Sequence, residues 1–504
     1  MNNSRQFLSH FLWALLLSSL TLLLLRSCQP FFWQVLFPDD GYYYLRIAQN
    51  LAAGLGSTFD GINQTNGYHP LWMLCLVPLA AFFKTPTGLA TATLAVQVLM
   101  LSAGFGLLGL WFEKTGRKKG GLWLATALVL LNPALLAVLV NLMESALYFW
   151  LLAAGLWLWT RLLDKNPAGF RHWLGGGAFF GLVFLARLDG VILAFWLLAA
   201  IWLCSETRSV KLKRSAAFAA GFLLPAAPYL IYNTLAFGHP VPISGRIKAV
   251  YMAHNPIYLA GLGLIFFLAA GIVFVLHLRA RGRLGPGLLA LFSYMEFAVS
   301  VIFYYLLTPI FALASWYYLP ALMVALLLAA MAFAWQTRAK LLRWLRTLAI
   351  IIGGAGIAGG YFLFLDRQTT GIYQTQAEVI EWLKQNTAPE SLLAAWSSGA
   401  VAYFSERKTI NLDGLVNSPD YFFNYRRKGK RDEFIRKMGV NYIVVYYYNQ
   451  PSPPLDKFNF PLKVAFSKSA TSRGLGTHFQ KSVLNYYVLQ TGFDLKELPE
   501  PGNH

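Results

Sequence analysis

Long apolar runs recur from Phe11 to Leu365, and several are long enough to cross a bilayer as a helix, which takes about 20 residues. Charged residues make up only 13% of the chain, against about 25% in a soluble domain. The chain therefore reads as a polytopic membrane protein, and its many Trp, Tyr and Phe residues suit aromatic belts at the two membrane surfaces. In a soluble protein a formal charge of +20 would suggest nucleic acid. Here it is loop charge that orients helices, and no nucleic-acid partner is expected. Cys28, Cys75 and Cys204 lie in or beside apolar segments without metal-ligand spacing, so they give neither a disulfide framework nor a zinc site.

Basic clusters stay on the cytoplasmic side of a membrane. They recur around Lys114–Lys119, Arg161–Arg171, Arg208–Arg214, Arg279–Arg283 and Arg338–Arg346. About eleven spans place all of them inside. These are 11–36, 88–112, 121–140, 144–163, 173–187, 190–204, 215–236, 257–278, 287–308, 316–336 and 343–365. The N-terminus is then cytoplasmic and the C-terminus extracytoplasmic. Arg5 ahead of Phe11–Leu25 mimics a secretory signal, but no small-residue cleavage site follows, so an uncleaved first helix is expected. Leu71–Phe83 is apolar but short, and is expected as a re-entrant or surface-lying piece. The fold class is thus mainly α and polytopic over residues 1–365. Residues 366–504 have ordinary soluble polarity, with helical periodicity near Tyr373–Gln385 and a β-rich run at Asn441–Tyr448. They are expected to form a small soluble α/β domain outside the cytoplasm.

This topology gathers Asp39, Asp40, Asn66, His69, Glu144, Arg187, Asp189, Ser244, Arg246, Lys248, Trp316 and Tyr317 at outer helix ends or in outer loops. The most informative stretch is Pro38-Asp39-Asp40-Gly41-Tyr42-Tyr43-Tyr44, where the first apolar run ends. Adjacent carboxylates at a membrane surface repel and lose hydration, so they mark a functional site; the alternative is an acidic helix cap. Tyr42–Ala53 has the apolar spacing of an interfacial helix, ended by Gly54 and Gly56. Asp60-Gly61 and Asn66-Gly67 are turn signals. The tyrosines are either interfacial anchors or substrate contacts, and His69 is either a structural or a substrate-binding histidine.

The Asp-Asp pair, its aromatics, the Arg46-containing helix and the Asn66-Gly67-Tyr68-His69-Pro70-Leu71-Trp72 turn resemble the first external loop (38–70 here) of GT-C-type glycosyltransferases. The resemblance extends to Asn132-Pro133, Met143-Glu144-Ser145, Ala186 to Gly190, Phe237 to Arg246, Trp316-Tyr317-Tyr318 and Ile410 to Gly414. Within that superfamily the loop is similar to that of bacterial arabinofuranosyltransferases, although His69-Pro70 departs from their pattern; mannosyl- and other hexosyltransferases are close competitors. The resemblance implies an enzyme of the bacterial inner membrane. It would move a sugar from a polyprenyl-phosphate donor to a glycan, lipid or protein acceptor in the periplasm.

Such transfer needs a base for the acceptor hydroxyl and cations for the leaving phosphate, across an oxocarbenium-like transition state. By analogy with the family, Asp39 is expected as general base. Asp40 would then orient the acceptor or bind a cation, or the two roles are exchanged. Arg246 and Lys248 are preferred for the phosphate, with Arg187 and Arg46 as further candidates. Arg187 and Asp189 alternatively form an internal ion pair. Tyr43, Tyr44, Asn66, His69, Glu144, Trp316 and Tyr317 are the expected sugar and acceptor contacts. No cofactor is required by the sequence; adjacent carboxylates would accept Mg or Ca, and that question stays open. Asn411, Asp413 and Asn417 either bind acceptor or form a loop that packs on the membrane domain. A lipid-linked-sugar transporter or flippase is the competing class, but it favours charges at mid-membrane and inverted repeats.

Overall fold

In a computed structural model of the chain, the structure describes residues 2–28, 31–116, 120–164, 169–204, 206–253, 285–306, 314–334, 340–369, 371–472 and 482–492. Helices α1 (Asn2–Cys28), α2 (Phe32–Leu36), α3 (Asp39–Ala52) and α4 (Pro70–Phe82) are followed by α5 (Pro86–Lys114), α6 (Gly120–Leu130) and α7 (Pro133–Leu139). Then come α8 (Ser145–Asp164), α9 (Phe170–Ala186), α10 (Gly190–Leu203), α11 (Arg208–Phe237), α12 (Ile243–Ala253), α13 (Pro286–Leu306), α14 (Leu319–Ala334) and α15 (Lys340–Thr369). Among the described residues, seven helices are long and apolar enough to cross a membrane: α1, α5, α8, α11, α13, α14 with the helical turn ahead of it (Ser315–Ala334), and α15. Leu12, Leu16, Leu20 and Leu23 on α1 and Leu223, Leu224, Ile231 and Leu235 on α11 are exposed. In water they would form apolar patches; in a bilayer they face lipid.

Local breaks interrupt several of the expected spans among the described residues. The expected span 121–140 is two helices meeting at 93°. Pro133 has no N–H to continue the ladder, and the residue before it is forced out of helix. Asn132 instead caps α7, its Oδ1 accepting from the Ala134 and Leu135 N–H at 3.0 and 3.3 Å. The expected span 11–36 is likewise two helices, α1 and α2, with Pro30 between them in sequence. Segments 173–187 and 190–204 appear as α9 and α10, only 17 and 14 residues long. The short Leu71–Phe83 piece is the 13-residue α4. The expected span 257–278 lies outside the described residues.

Lys114 and Asp164 pair at 2.5 Å where α5 and α8 end. The twenty residues of α8 set this pair about 30 Å from the start of that helix, where the acidic and aromatic residues gather. The C-terminal domain sits at that start. It comprises α16 (Ile372–Asn386), β1 (Leu392–Ala395), α17 (Gly399–Ser405), β2 (Lys408–Asn411), α18 (Arg431–Lys437), β3 (Tyr442–Tyr448), β4 (Leu462–Ser472) and β5 (Ser482–Thr491). The sheet order is β2-β1-β3-β5-β4, with the first three strands parallel and the last two joining antiparallel. Ile410, Leu412, Phe434, Ile443 and Leu489 form its core. Helix α17 packs on α3, where the Tyr42 ring meets Tyr403 and Phe404 at 5.4 and 5.1 Å.

Candidate functional site

Pro38 enters α3 in extended backbone, and Asp39 and Asp40 fill its first turn, where the helix dipole favours negative charge. Gly41 explains the third residue of the motif. A Cβ there would lie 2.6 Å from the Asn141 carbonyl oxygen and 2.9 Å from the Leu142 Cβ. Adjacent helical side chains diverge by about 100°, and the two carboxylates part accordingly. Asp39 turns to the C-terminal domain, accepting from the Gly399 and Ala400 backbone N–H at 2.8 Å each. Asp40 lines a cavity on the other side.

Enclosure by protein pushes the Asp39 carboxyl up from 3.8 to about 6; the two backbone bonds and Tyr43 oppose that rise, and Asp413 adds to it. Tyr42, Tyr43, Tyr446 and Tyr486 complete its surroundings. A carboxyl raised by docking takes up a proton on docking. The proton-linked part of its contribution is therefore complete below pH 3.8 and is lost as the pH rises through about 6, leaving the two amide bonds to hold the seat. Protection of the Gly399 and Ala400 amides from exchange is expected to weaken between those limits and to level off above them. Asp39→Asn should flatten that profile.

Glu144 precedes α8 on a loop whose geometry is fixed from outside. Leu142 adopts the left-handed region, φ 64°, a conformation that costs about 1–3 kcal/mol in a non-glycine residue unless its surroundings hold it. Gln97, in the middle of apolar α5, supplies the hold: its Oε1 accepts from the Leu142 N–H at 3.1 Å and its Nε2 donates to the Met143 carbonyl at 2.5 Å. Trp72 Nε1 donates to the Leu142 carbonyl at 3.0 Å. Gln97→Leu would leave a buried N–H and a buried carbonyl unpaired, at about 1–3 kcal/mol each. Thermal unfolding in detergent should show a clear fall in Tm.

Arg187, 2% exposed, closes α9 and gathers two carboxylates and two neutral acceptors. It bonds Glu144 Oε1 at 3.1 Å and Asp189 Oδ2 at 2.8 Å, and donates to the Trp316 carbonyl at 3.4 Å and the Tyr305 hydroxyl at 3.5 Å. The Tyr148 and Tyr317 rings lie 5.3 and 5.5 Å from its guanidinium carbon. Tyr148 donates to Asp189 Oδ1 at 2.8 Å. His69 Nε2 reaches Glu144 Oε1 at 3.7 Å. The Tyr44 hydroxyl accepts from the His69 N–H at 3.2 Å.

Trp316 lines two cavities. The smaller, of about 280 Å³, is bounded by Asp40, Tyr43, Tyr44, Tyr68, His69, Glu144, Ser244, Trp316 and Tyr317, and is closed by Leu415 and Val416 of the C-terminal domain. The larger, of about 580 Å³, runs between Val35, Leu36 and Phe37, the bent helix at Pro133, Ala134 and Ala137, and Leu363 and Phe364 of α15; Gln34, Asp39, Ser315 and Gln376 also line it. Asp40, Tyr43, Tyr44, His69, Glu144, Trp316 and Tyr317 thus converge.

The remaining residues singled out in the sequence lie elsewhere. Asn66 ties the loop to α11 and α12, donating to Asn233 Oδ1 at 3.2 Å and accepting from the Ile243 N–H at 2.9 Å. Arg46 contacts Gln49 at 3.4 Å and lines neither cavity. Arg246 lies two residues past Ser244, its guanidinium 4.2 Å from the Phe423 ring centre. Lys248 falls on the same helix, its side chain outside the described residues. Among the described residues no three His, Cys, Asp or Glu side chains converge as a metal site. Asn411 ends β2, and Asp413 and Asn417 lie in the loop that follows it and packs on α3: Asn411 Nδ2 donates to the Tyr43 hydroxyl at 3.2 Å, and Asn417 Nδ2 to the Asn411 carbonyl at 2.9 Å. Sequence reasoning missed Gln97, although a glutamine inside an apolar span was its visible signal. It also missed the Gly399 and Ala400 amides and the Leu415–Val416 wall, which no side-chain pattern announces.

The arrangement is that of a multi-pass membrane protein with an acidic, aromatic-walled pocket at one end of its bundle. The crystal structure of ArnT from Cupriavidus metallidurans bound to undecaprenyl phosphate has the same fold, with a TM-score of 0.55 at 14% identity over 94% of this chain and 98% of that one. The chain thus shares the overall fold of that structure, a mainly helical membrane body with a small C-terminal sheet domain. Residues 367–492 match a family described as a domain of unknown function (DUF8728). No curated protein matches the chain by sequence.

Proposed function

We propose that the chain is an integral-membrane glycosyltransferase that moves a sugar from a polyprenyl-phosphate donor to an acceptor outside the cytoplasm. One observation carries the reading: Asp40 and the Glu144–His69 pair face one aromatic-walled pocket, and a larger groove with apolar walls at Val35, Leu36, Phe37, Leu363 and Phe364 also borders Trp316. The shared fold supports it, since the ArnT structure is one bound to undecaprenyl phosphate. The groove suits a lipid chain, and the aromatic walls suit sugar rings.

In this reading Asp40 is the general base. It takes the acceptor hydroxyl proton as that oxygen bonds to the anomeric carbon, while the bond from that carbon to the donor phosphate breaks with both its electrons. The leaving phosphate is assigned to Arg246, two residues past Ser244 on the pocket wall, and to Lys248 by its place in the same loop motif, because Arg187 is already committed to two carboxylates. Glu144, held by Arg187, orients His69 and the acceptor, and Tyr43, Tyr44, Trp316 and Tyr317 pack the sugars. The loop motifs favour arabinofuranose; mannose and other hexoses fit the same chemistry. The site then faces the periplasm of a bacterial inner membrane, with the N-terminus cytoplasmic.

Purified protein given synthetic polyprenyl-phosphate sugars that differ only in the sugar tests this. Consumption of one donor identifies the sugar and the reaction together. If every donor survives while proteoliposomes carry a lipid-linked sugar across the bilayer, the protein is a flippase instead.

A further inference from the structure

We infer that Asp39 is a latch: its carboxylate seats the C-terminal domain on α3, and the seated domain completes the acceptor pocket with Leu415 and Val416. The pocket's role rests on the transferase reading; the latch itself rests on geometry alone. Both Asp39 oxygens are engaged by the Gly399 and Ala400 amides at 2.8 Å, so this carboxylate is turned from the pocket that Asp40 lines.

The seat is tightly fitted. A Cβ on Gly399 would overlap the Asp39 carbonyl oxygen, and one on Gly67 of the loop would overlap the Leu415 carbonyl oxygen. Backbone therefore meets backbone on both sides of the pocket, and only glycine permits it.

The seat is also wired to the wall. Ser397 and Ser398, just before Gly399, are tied to the following loop: Asp413 Oδ2 accepts from the Ser397 N–H at 2.8 Å, and Asn411 Nδ2 donates to Ser398 Oγ at 3.0 Å. Tyr43 clasps that loop from α3, its hydroxyl 3.4 Å from Asp413 Oδ2. Leu415 and Val416 follow directly. A shift at Asp39 thus reaches the pocket wall through a chain of partly buried hydrogen bonds, not through the reacting groups. Asp39 is accordingly a positioning residue.

The test uses the full chain in lipid nanodiscs and reads two quantities: amide exchange over residues 396–405, and KM and kcat for acceptor with the donor that the wild type consumes. Asp39→Ala removes both acceptors, and Gly399→Ala wedges the seat apart while leaving the carboxylate in place. Each is expected to speed exchange about tenfold or more, the worth of one buried hydrogen bond. Each should also raise the acceptor KM more than it lowers kcat. Asp39→Asn keeps an acceptor oxygen and should retain most of what Asp39→Ala loses.

The inference is overturned if Asp39→Ala and Gly399→Ala both keep slow exchange and a wild-type KM. It is equally overturned if Asp39→Asn loses about 1,000-fold in kcat with exchange still slow, the behaviour of a missing base. Should the wild type consume no donor at all, the transferase reading falls, and the exchange arm still decides the latch.

Discussion

Asp40→Asn is expected to slow sugar transfer by about 100- to 10,000-fold, the usual worth of a positioned general base, with Tm close to wild type. The amide keeps the shape of the side chain and cannot take a proton. Asp40 lines the smaller cavity at the mouth of α3, close enough to Tyr317 for its charge to act on that phenol, so the substitution removes the base without opening the fold. Donor and acceptor KM should stay near wild type, because a group used only in the transition state affects kcat. A variant that transfers at the wild-type rate would mean that another group, with Glu144 the nearest candidate by position, takes the proton.

Arg187→Met should be the most damaging single change to stability. The substitution keeps much of the apolar bulk but strands two buried carboxylates, Glu144 and Asp189, which now sit 3.1 and 2.8 Å from the guanidinium. Removing one partner of a buried ion pair costs about 3–5 kcal/mol, a large share of the roughly 5–15 kcal/mol that holds a typical domain together. Unfolding in detergent should show it as a large loss of Tm. Adding Asp189→Asn to the same chain should recover part of the loss, because one stranded charge is then gone. Full stability of Arg187→Met alone would mean that the cluster is solvated and does not hold α9 against α8.

The parts of this architecture that rest on local chemistry were legible in the sequence. Apolar runs marked the long helices, and the Asp39-Asp40 pair marked the start of α3. Arg187 and Asp189, two residues apart, suggested an internal ion pair, and they form one. What was hidden depends on distant partners. Glu144 meets Arg187 across 43 positions, and Asp39 meets the Gly399 and Ala400 amides across about 360. A backbone amide carries no residue identity, so nothing near Asp39 announced that its carboxylate was already engaged. The bend at Asn132-Pro133 was present in the letters, yet a count of apolar residues alone runs a span straight through it.

The most direct test of the account is the amount of free polyprenyl phosphate released per protein molecule from a polyprenyl-phosphate sugar, with acceptor present, by wild type and by Asp40→Asn side by side. Steady release by wild type and only a small residue of it by the variant are expected, both chains being equally folded. Equal release by the two proteins, or none by either while the intact lipid-linked sugar crosses the bilayer, would contradict it.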